Sequence, residues 1–375
     1  MSTLNDIYSF WGIESKHIHA DEFTGYEPVL DKLDSYTKGK FERDPERVVD
    51  EVFDIYRSVN LVPIIYYTEQ GLLTAIRQFQ SFDYNRVDNR RIGLGNNRGQ
   101  PLSRFLFPNM MTAEPKGRGS NSLRDRFYND KKLKRAIRLC FEAREGEHLA
   151  RPTALRRALE LVTGENIQNF KPQNARSLAE YLCPVVFGRI YDYSAGYGGR
   201  LLGVGASRMR YSYTAVDPNT ETYKYLCYYK NLIEQVTGMQ GEIHCSTSEE
   251  FTPNDVDCAF SSPPYFNLEK YSDEDTQCMV RYQTLDEWFD GYAVPTMENI
   301  YRGLNSDGVF ATNIADYKSY GNKSYAVVNR WIATAEKIGF KHCETIRMML
   351  NTRPGVGNDK KSGREKWEGV YVFTK

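Results

Sequence analysis

No stretch of this chain is apolar for long enough to span a membrane, and its opening residues, Met1-Ser2-Thr3-Leu4-Asn5-Asp6, have no signal-peptide pattern. Paired cysteines are also missing. The seven cysteines are scattered and odd in number, and none forms a Cys-x-x-Cys pair. This argues against a disulfide framework or a zinc site, so a reducing cytoplasm is the expected setting. Histidine is scarce, at five residues, and no Ser–His–Asp or Cys–His arrangement can be read. His17-Ile18-His19 has metal-like spacing without further ligands, so a packing or surface role is expected and no metal. Internal repeats and low-complexity tracts are absent. Net charge is absent too, with 49 Lys and Arg against 49 Asp and Glu.

What remains is an ordinary globular composition of 375 residues, 41% hydrophobic and 26% charged, enough for two domains. The 27 tyrosines suit base stacking or the edge of a core. The zero net charge hides a strong asymmetry. Residues 1–85 hold 8 basic and 15 acidic side chains, residues 86–157 hold 18 and 7, and residues 158–375 hold 23 and 27. A segment of net +11 inside a neutral protein suggests a polyanion, most simply nucleic acid; a solvated helix face is the alternative.

Residues 1–165 read as a mainly helical region. Apolar spacing predicts a helix over Arg47–Val59 and a second starting at Thr68 as N-cap. From Asp88 to Asn121 glycines and prolines interrupt the pattern, and Gly93–Gly99 reads as a flexible, arginine-bearing loop. Asp130–Arg144 is an amphipathic helix candidate with Leu133, Ile137, Cys140 and Phe141 on one face and a crowd of lysines and arginines elsewhere. Another helix opens at Arg151-Pro152. The two form either a DNA-reading pair or a packed hairpin.

Residues 166–375 alternate short strands with helices. Strands are predicted at Arg189–Tyr193, Tyr213–Val216, Gly241–His244, Asp257–Phe260, Gly308–Asn313, Cys343–Met349 and Gly369–Thr374. Helices are predicted at Thr220–Val236, Asp286–Tyr301 and Tyr325–Ile338. This is the pattern of a doubly wound α/β sheet. A Gly-rich basic loop, Thr352–Trp367, separates the last two strands.

Two stretches carry chemistry. Asp192-Tyr193-Ser194-Ala195-Gly196-Tyr197-Gly198-Gly199 ends the first strand, where glycines let backbone approach a ligand. About twenty residues on, Val216-Asp217-Pro218 ends the second strand with an acid suited to ribose hydroxyls. The Gly-x-Gly-x-x-Gly spacing of a dinucleotide site is lacking. Ser248 and Glu249, after the third strand, could reach an adenine edge or could simply cap a helix. The second stretch, Ser262-Pro263-Pro264-Tyr265, ends the fourth strand. Proline fixes φ and gives no N–H, so the carbonyls of Ser262 and Pro263 can point outward beside an aromatic plate. Such a pocket suits an exocyclic amine.

Asp192 through Gly199, Asp217 and the Ser-Pro-Pro-Tyr stretch resemble the first, second and fourth motifs of the S-adenosylmethionine-dependent DNA amino-methyltransferases. Phe170-Lys171-Pro172 is similar to the family's remaining cofactor motif. The resemblance covers residues 166–375. It implies a Rossmann-like class I methyltransferase sheet and S-adenosylmethionine as cofactor. The cofactor would be held by Phe170, Asp192, Ser194, Ala195, Gly196, Gly198, Asp217, Pro218, Ser248, Glu249 and Ser262. The family usually has Phe where this chain has Ser194, so that part of the pocket is built differently.

The implied acceptor is a cytosine N4 or adenine N6 amine in a flipped base, with cytosine slightly favoured by the leading serine. Ser262 and the Pro263 carbonyl would take the amine hydrogens while Tyr265 stacks; Phe266 either assists or belongs to the core. Asn267–Tyr282 reads as a polar, mobile segment able to close over the base. The implied partner is double-stranded DNA, as for a bacterial or phage modification enzyme; oligomeric state is unassigned. The first and fourth motifs are too close for an inserted recognition domain. Site reading therefore falls to the basic N-terminal half, mainly residues 86–157, helped by the basic loop; Arg90, Arg91, Arg98, Arg118, Lys131, Lys132, Lys134, Arg135, Lys360, Lys361 and Arg364 are the expected nucleic-acid contacts, positioning the duplex through its phosphates, and the side chains that read bases are unassigned. An RNA base amino-methyltransferase and a non-catalytic nucleic-acid-binding protein on the same fold are the rival readings.

Overall fold

Strand pairing in the C-terminal half follows from its apolar runs. The computed structural model describes residues 2–13, 18–19, 22–23, 26–116, 120–163, 166–319, 323–350 and 366–375. Eight strands form one sheet: β1 (Arg91–Ile92), β2 (Arg189–Asp192), β3 (Ser212–Val216), β4 (Gln240–His244), β5 (Val256–Ser261), β6 (Leu304–Asn313), β7 (Lys341–Met349) and β8 (Trp367–Thr374). Their order is β1-β7-β8-β6-β5-β2-β3-β4. β2 through β6 run parallel, and β8 lies antiparallel between β6 and β7. β2, β5 and the end of β6 are largely buried, which is why they read as short continuous apolar runs, whereas the edge strand β4 has no buried residue. This is the expected Rossmann-like class I sheet.

The order reverses at β2, which pairs with β3 on one side and β5 on the other. A crevice at such a switch point is where ligands bind in open α/β sheets. Asp192 ends β2 and Ser261 ends β5, so both side chains arrive at it. Beneath lies an aromatic core in which Tyr191, Tyr193, Trp288, Phe310, Trp331 and Phe373 are buried.

The chain divides into two compact units. One comprises Met1–Thr74, Pro101–Gln168 and Glu269–Tyr271; the other comprises Ala75–Gln100, Asn169–Leu268 and Ser272–Lys375. The boundary drawn at 165/166 therefore needs correction, because Ala75–Gln100 belongs with the sheet. The cause is side-chain capture by the helix α5 (Pro172–Leu182) and the residue before it. Lys171 Nζ donates to the Gly95 carbonyl at 2.7 Å, Gln173 Oε1 accepts from Asn96 N at 2.9 Å, and Arg176 donates to the Gln80 carbonyl at 2.9 Å. Gly93–Gly99 is thus a clamped loop rather than a flexible one. A Cβ on Gly95 would run into the Asn174 side chain, and Gly99 takes φ +82° against Leu202.

The first unit is helical. Its helices include α1 (Pro45–Ser58), α3 (Asp130–Glu142) and α4 (Pro152–Thr163); α2 (Glu69–Ser81), capped by the Thr68 hydroxyl, runs on into residues of the second unit. Leu133, Ile137, Cys140 and Phe141 share the buried face of α3, as their spacing predicts. In the second unit the expected helix Asp286–Tyr301 is broken. A short turn, Leu285–Trp288, widens through Phe289–Ala293 and becomes regular only at Val294–Gly303, because Pro295 lacks the N–H a regular α-turn requires. The helix expected from Tyr325 starts at Val328, since Tyr325 pairs instead with Tyr317 in a two-strand ladder. No helix among the described residues is long and apolar enough to cross a membrane.

Gly199 opens the helix after β2, α6 (Gly199–Gly205), and a Cβ there would collide with the Phe170 carbonyl. Gly199→Ala is therefore expected to destabilise the sheet unit by about 1–3 kcal/mol, the usual cost of overpacking. Chemical denaturation checks this; unchanged stability would show that the Phe170 segment yields freely.

Candidate functional site

The loop after β2 is built on Asp192, which is 1% exposed. Its Oδ2 accepts from Arg200 Nε at 2.7 Å and the Tyr213 hydroxyl at 2.6 Å, while Oδ1 accepts from the Ser261 hydroxyl at 2.6 Å and Ser194 N at 3.2 Å. Four donors saturate a carboxylate. Asp192 therefore fixes the loop, with its acceptor sites taken by these four donors. Arg200 also donates to the Ser194 carbonyl and lies 5.5 Å from the Phe170 ring centre. Phe170 in turn meets Phe260 edge-on at 5.6 Å. Ser194, in place of the family's phenylalanine, thus contributes backbone to this knot.

The glycines then turn the chain. Gly196 and Gly198 take φ +54° and +70°, a region costly for other residues. A Cβ on Gly196 would meet nothing closer than the Ser194 carbonyl at 3.9 Å, so the backbone here borders open space. Ala195 N donates to the Val216 carbonyl at 3.0 Å and ties the loop to β3.

Asp217 closes the other side. Its Oδ2 accepts from Gly196 N at 2.9 Å and its Oδ1 from Asn219 N at 3.0 Å. One donor on each oxygen leaves two lone-pair sites, enough for a vicinal diol. Burial, the largest influence, pushes this carboxyl up to about 7, aided by the charge of Asp192 and opposed by the two backbone donors and Arg200. Pro218 sits beside it, and its carbonyl accepts from the Thr276 hydroxyl at 3.5 Å.

Beyond β4, the Ser248 hydroxyl pairs with Thr296 at 2.9 Å. Glu249 Oε1 accepts from Arg281 and from the Tyr282 hydroxyl, both at 2.9 Å. Its Oε2 is buried without a hydrogen-bond partner. A buried acceptor of this kind suits a ligand amine.

At the end of β5, Ser262 Oγ and Asn313 Oδ1 are 3.2 Å apart, and Asn313 Nδ2 donates to the Gly369 carbonyl at 3.0 Å. Glu368 is hydrogen-bonded to Asn313, and burial raises its carboxyl. Among the described residues no hydrogen bond claims the Pro263 carbonyl. The Tyr265 hydroxyl accepts from Ala315 N at 3.0 Å, and its ring lies edge-on to Tyr317 at 4.7 Å. Both contacts hold the ring at a fixed tilt. Phe266 is buried against Tyr325 and belongs to the core.

The segment Asn267–Tyr282, expected to be mobile, is tied down. Asn267 bonds the hydroxyls of Tyr325 and Tyr317 at 2.8 and 3.1 Å, and Glu274 takes the Thr220 hydroxyl. Glu269–Tyr271 belongs to the first unit, where Lys270 forms a backbone bridge and a 3.2 Å ion pair with Glu114.

The basic residues are dispersed. Arg90 pairs with Glu344 at 2.9 Å, Arg91 lies in β1, and Arg98 sits over the Phe82 ring at 3.5 Å, all within the sheet unit. In the first unit Lys134 pairs with Asp50, Arg57 with Asp130, and Arg138 with Glu46. Lys134 and Arg138 thus offset two basic charges of α3 against α1, while Arg57–Asp130 runs the opposite way. Lys132 bonds Asn121 at 2.6 Å and Arg135 pairs with Glu142, while Lys131 is exposed. Arg118, Lys360, Lys361 and Arg364 lie outside the described residues.

Four contributors were missed in the sequence: Ser261, Arg200, Tyr213 and Asn313. Ser261 carried a signal, being the polar end of an otherwise apolar strand. The others come from separate elements and meet only in the fold.

No protein-family model and no curated protein matches this chain. Solved structures similar to it include an S-adenosylmethionine-dependent O-methyltransferase from Thermotoga maritima (16% identity, 58% of this chain and 69% of that one, TM-score 0.36). TrmN from Thermus thermophilus is similar at 14% identity over 54% of this chain and 48% of that one, with a TM-score of 0.35. A methyltransferase from Pyrococcus furiosus is similar at 15% identity over 58% and 91%, also at 0.35. At such scores no function transfers, and the reading below rests on this chain's own residues.

Proposed function

We propose that the protein is an S-adenosylmethionine-dependent methyltransferase acting on the exocyclic amine of a base flipped out of double-stranded DNA, with cytosine N4 slightly favoured over adenine N6. The observation that carries it is the pairing, just past the end of central strand β5, of an unclaimed Pro263 carbonyl and the Ser262 hydroxyl with a fixed Tyr265 plate.

The residues present fit the cofactor. Gly196 borders open space, Asp217 keeps two lone-pair sites for ribose hydroxyls, and Glu249 Oε2 is a buried acceptor awaiting an adenine amine. When bound, S-adenosylmethionine supplies a methyl group on a sulfonium that is already a good leaving group. The protein's task is therefore placement. An exocyclic amine is a poor nucleophile because its lone pair is delocalised into the ring. The Pro263 carbonyl and the Ser262 oxygen would accept its two hydrogens, favouring a pyramidal nitrogen with a free lone pair; the new N–C bond would replace the C–S bond of the departing thioether, and the nitrogen would lose one proton to solvent. Tyr265 stacks on the base and holds it in plane. Asn313 orients the Ser262 hydroxyl.

Cofactor affinity should depend on pH through Asp217. The charged carboxylate accepts both ribose hydroxyls, whereas the protonated form loses an acceptor. With the carboxyl near 7, binding is strongest above pH 7 and weakens by up to about tenfold per unit below it. Calorimetry between pH 6 and 8 checks this; a flat profile would remove Asp217 from the ribose contact.

The substrate class is tested by methyl incorporation into duplex DNA and into a structured RNA under one set of conditions. Incorporation into DNA is expected. Incorporation into RNA alone would favour the RNA reading, and absence of cofactor binding would favour the non-catalytic one.

A further inference from the structure

Beyond β6 the chain forms a two-strand ladder, Tyr317–Lys318 against Ser324–Tyr325, with Tyr317 opposite Tyr325 and Lys318 opposite Ser324. A ladder this short is marginal in water by itself. Its tyrosines secure it, because their rings stack across the strands at 5.2 Å. Asn267 clamps the pair. Its Nδ2 donates to the Tyr325 hydroxyl at 2.8 Å, its Oδ1 accepts from the Tyr317 hydroxyl at 3.1 Å, and its carbonyl accepts from the Ser319 hydroxyl at 2.7 Å. The Tyr317 ring also meets Tyr265 at 4.7 Å. The ladder is thereby fixed to the aromatic plate at the end of β5.

Side chains alternate along a strand, so with Tyr317 and Tyr325 packed inward, Lys318 and Ser324 are left exposed. Lys323, just before the second strand, is exposed as well, and its ammonium lies 5.3 Å from the centre of the Tyr325 ring. Contacts run from Lys323 through Tyr325 and Tyr317 to Tyr265. Both charges therefore stay within a few nucleotides of the plate, since a strand advances about 3.4 Å per nucleotide.

These lysines differ from most of the basic residues described above. Arg57, Arg90, Lys134 and Arg138 each pair with a carboxylate. Among the described residues no carboxylate pairs with Lys318 or Lys323. The acid beside the ladder, Asp316, is turned to the helix Val328–Ile338, where its Oδ1 accepts from Val327 N at 2.8 Å and Val328 N at 3.0 Å. Two unanswered ammonium groups beside a base-stacking plate match the anions that arrive with the base, the phosphates of its own strand. Lysine suits them as a compact point charge.

Resting on the methyl-transfer reading for the identity of the plate, we infer that Lys318 and Lys323 contact backbone phosphates of the DNA strand that carries the flipped base.

The test follows binding of the full-length protein to a labelled duplex by fluorescence anisotropy, between about 50 and 200 mM salt. Lys318→Gln combined with Lys323→Gln should lower the salt slope by about 2, one for each lost phosphate contact, and weaken binding at about 0.1 M salt at least tenfold. Calorimetric affinity for S-adenosylmethionine should stay within about twofold, and in turnover KM should rise while kcat holds, because neither lysine touches the reacting atoms. Arginine at both positions should restore the slope, which a merely structural role would not predict. Lys337→Gln combined with Lys341→Gln removes the same charge from exposed positions at the opposite end of the sheet, where Lys341 begins β7. That pair should leave the slope unchanged. An equal loss in both pairs, a slope unaltered by the first pair, or binding of structured RNA without binding of duplex would overturn the contacts. The expected slopes without methyl transfer to DNA would instead remove the methyl-transfer reading and leave the phosphate contacts standing.

Discussion

Tyr265→Ala lowers methyl transfer by about ten- to a hundredfold while leaving cofactor affinity within about twofold. Stacking of a base on an aromatic ring is worth about 1–3 kcal/mol by alanine substitution, and 1.4 kcal/mol is a factor of ten. The ring is held from two sides, by Ala315 N on its hydroxyl and by Tyr317 on its edge, so it forms a plate before substrate arrives. Tyr265→Phe keeps the plate and loses only the hydroxyl tether, so it should retain most turnover. Single-turnover rates on a duplex, set beside calorimetry for cofactor, separate the two effects. Full activity in the alanine variant would remove the stacking role. A fall in cofactor affinity instead would move Tyr265 to the cofactor side.

Asp192→Asn should be the most damaging single change to the fold of the sheet unit. It leaves the buried Arg200 without its carboxylate and replaces an acceptor of four hydrogen bonds with a group that must donate two. Breaking one side of a buried ion pair typically costs about 3–5 kcal/mol. Asp192→Leu combined with Arg200→Met removes both charges and should recover a large part of that stability, because neither partner is then left alone. Urea denaturation of the three variants distinguishes the cases. If the double variant were as unstable as Asp192→Asn, the shape of the loop rather than the ion pair would be what Asp192 secures.

These two residues show what the sequence does and does not make legible. The central parallel strands were readable because burial along their length writes short apolar runs, and β2, β3 and β5 fall within a residue or two of their expected bounds. The glycine loop and the Ser-Pro-Pro-Tyr stretch were readable because glycine and proline act locally. Asp192 was picked out for its position, yet its partners come from Arg200, Tyr213 and Ser261, three elements that only sheet order brings together. β1 escaped notice because two residues, with only Ile92 buried, carry no periodicity. The basic segment was visible as a count, but whether α3 faces solvent or the acidic α1 is a matter of packing. Lys134 and Arg138 answer it by pairing with Asp50 and Glu46 of α1. Exposed pairs of this kind are worth about 0–1 kcal/mol each, so they neutralise charge more than they stabilise.

The crevice at the ends of β2 and β5 is expected to serve methyl transfer to a base amine of DNA. The most direct measurement incubates purified protein with S-adenosylmethionine and unmethylated plasmid, digests the DNA to nucleosides and identifies the modified one by mass spectrometry. The account predicts N4-methylcytosine, or N6-methyladenine from the same amine chemistry, and its loss in Tyr265→Ala. Methylation at a ring carbon, or no modified nucleoside from protein that binds the cofactor, would contradict it.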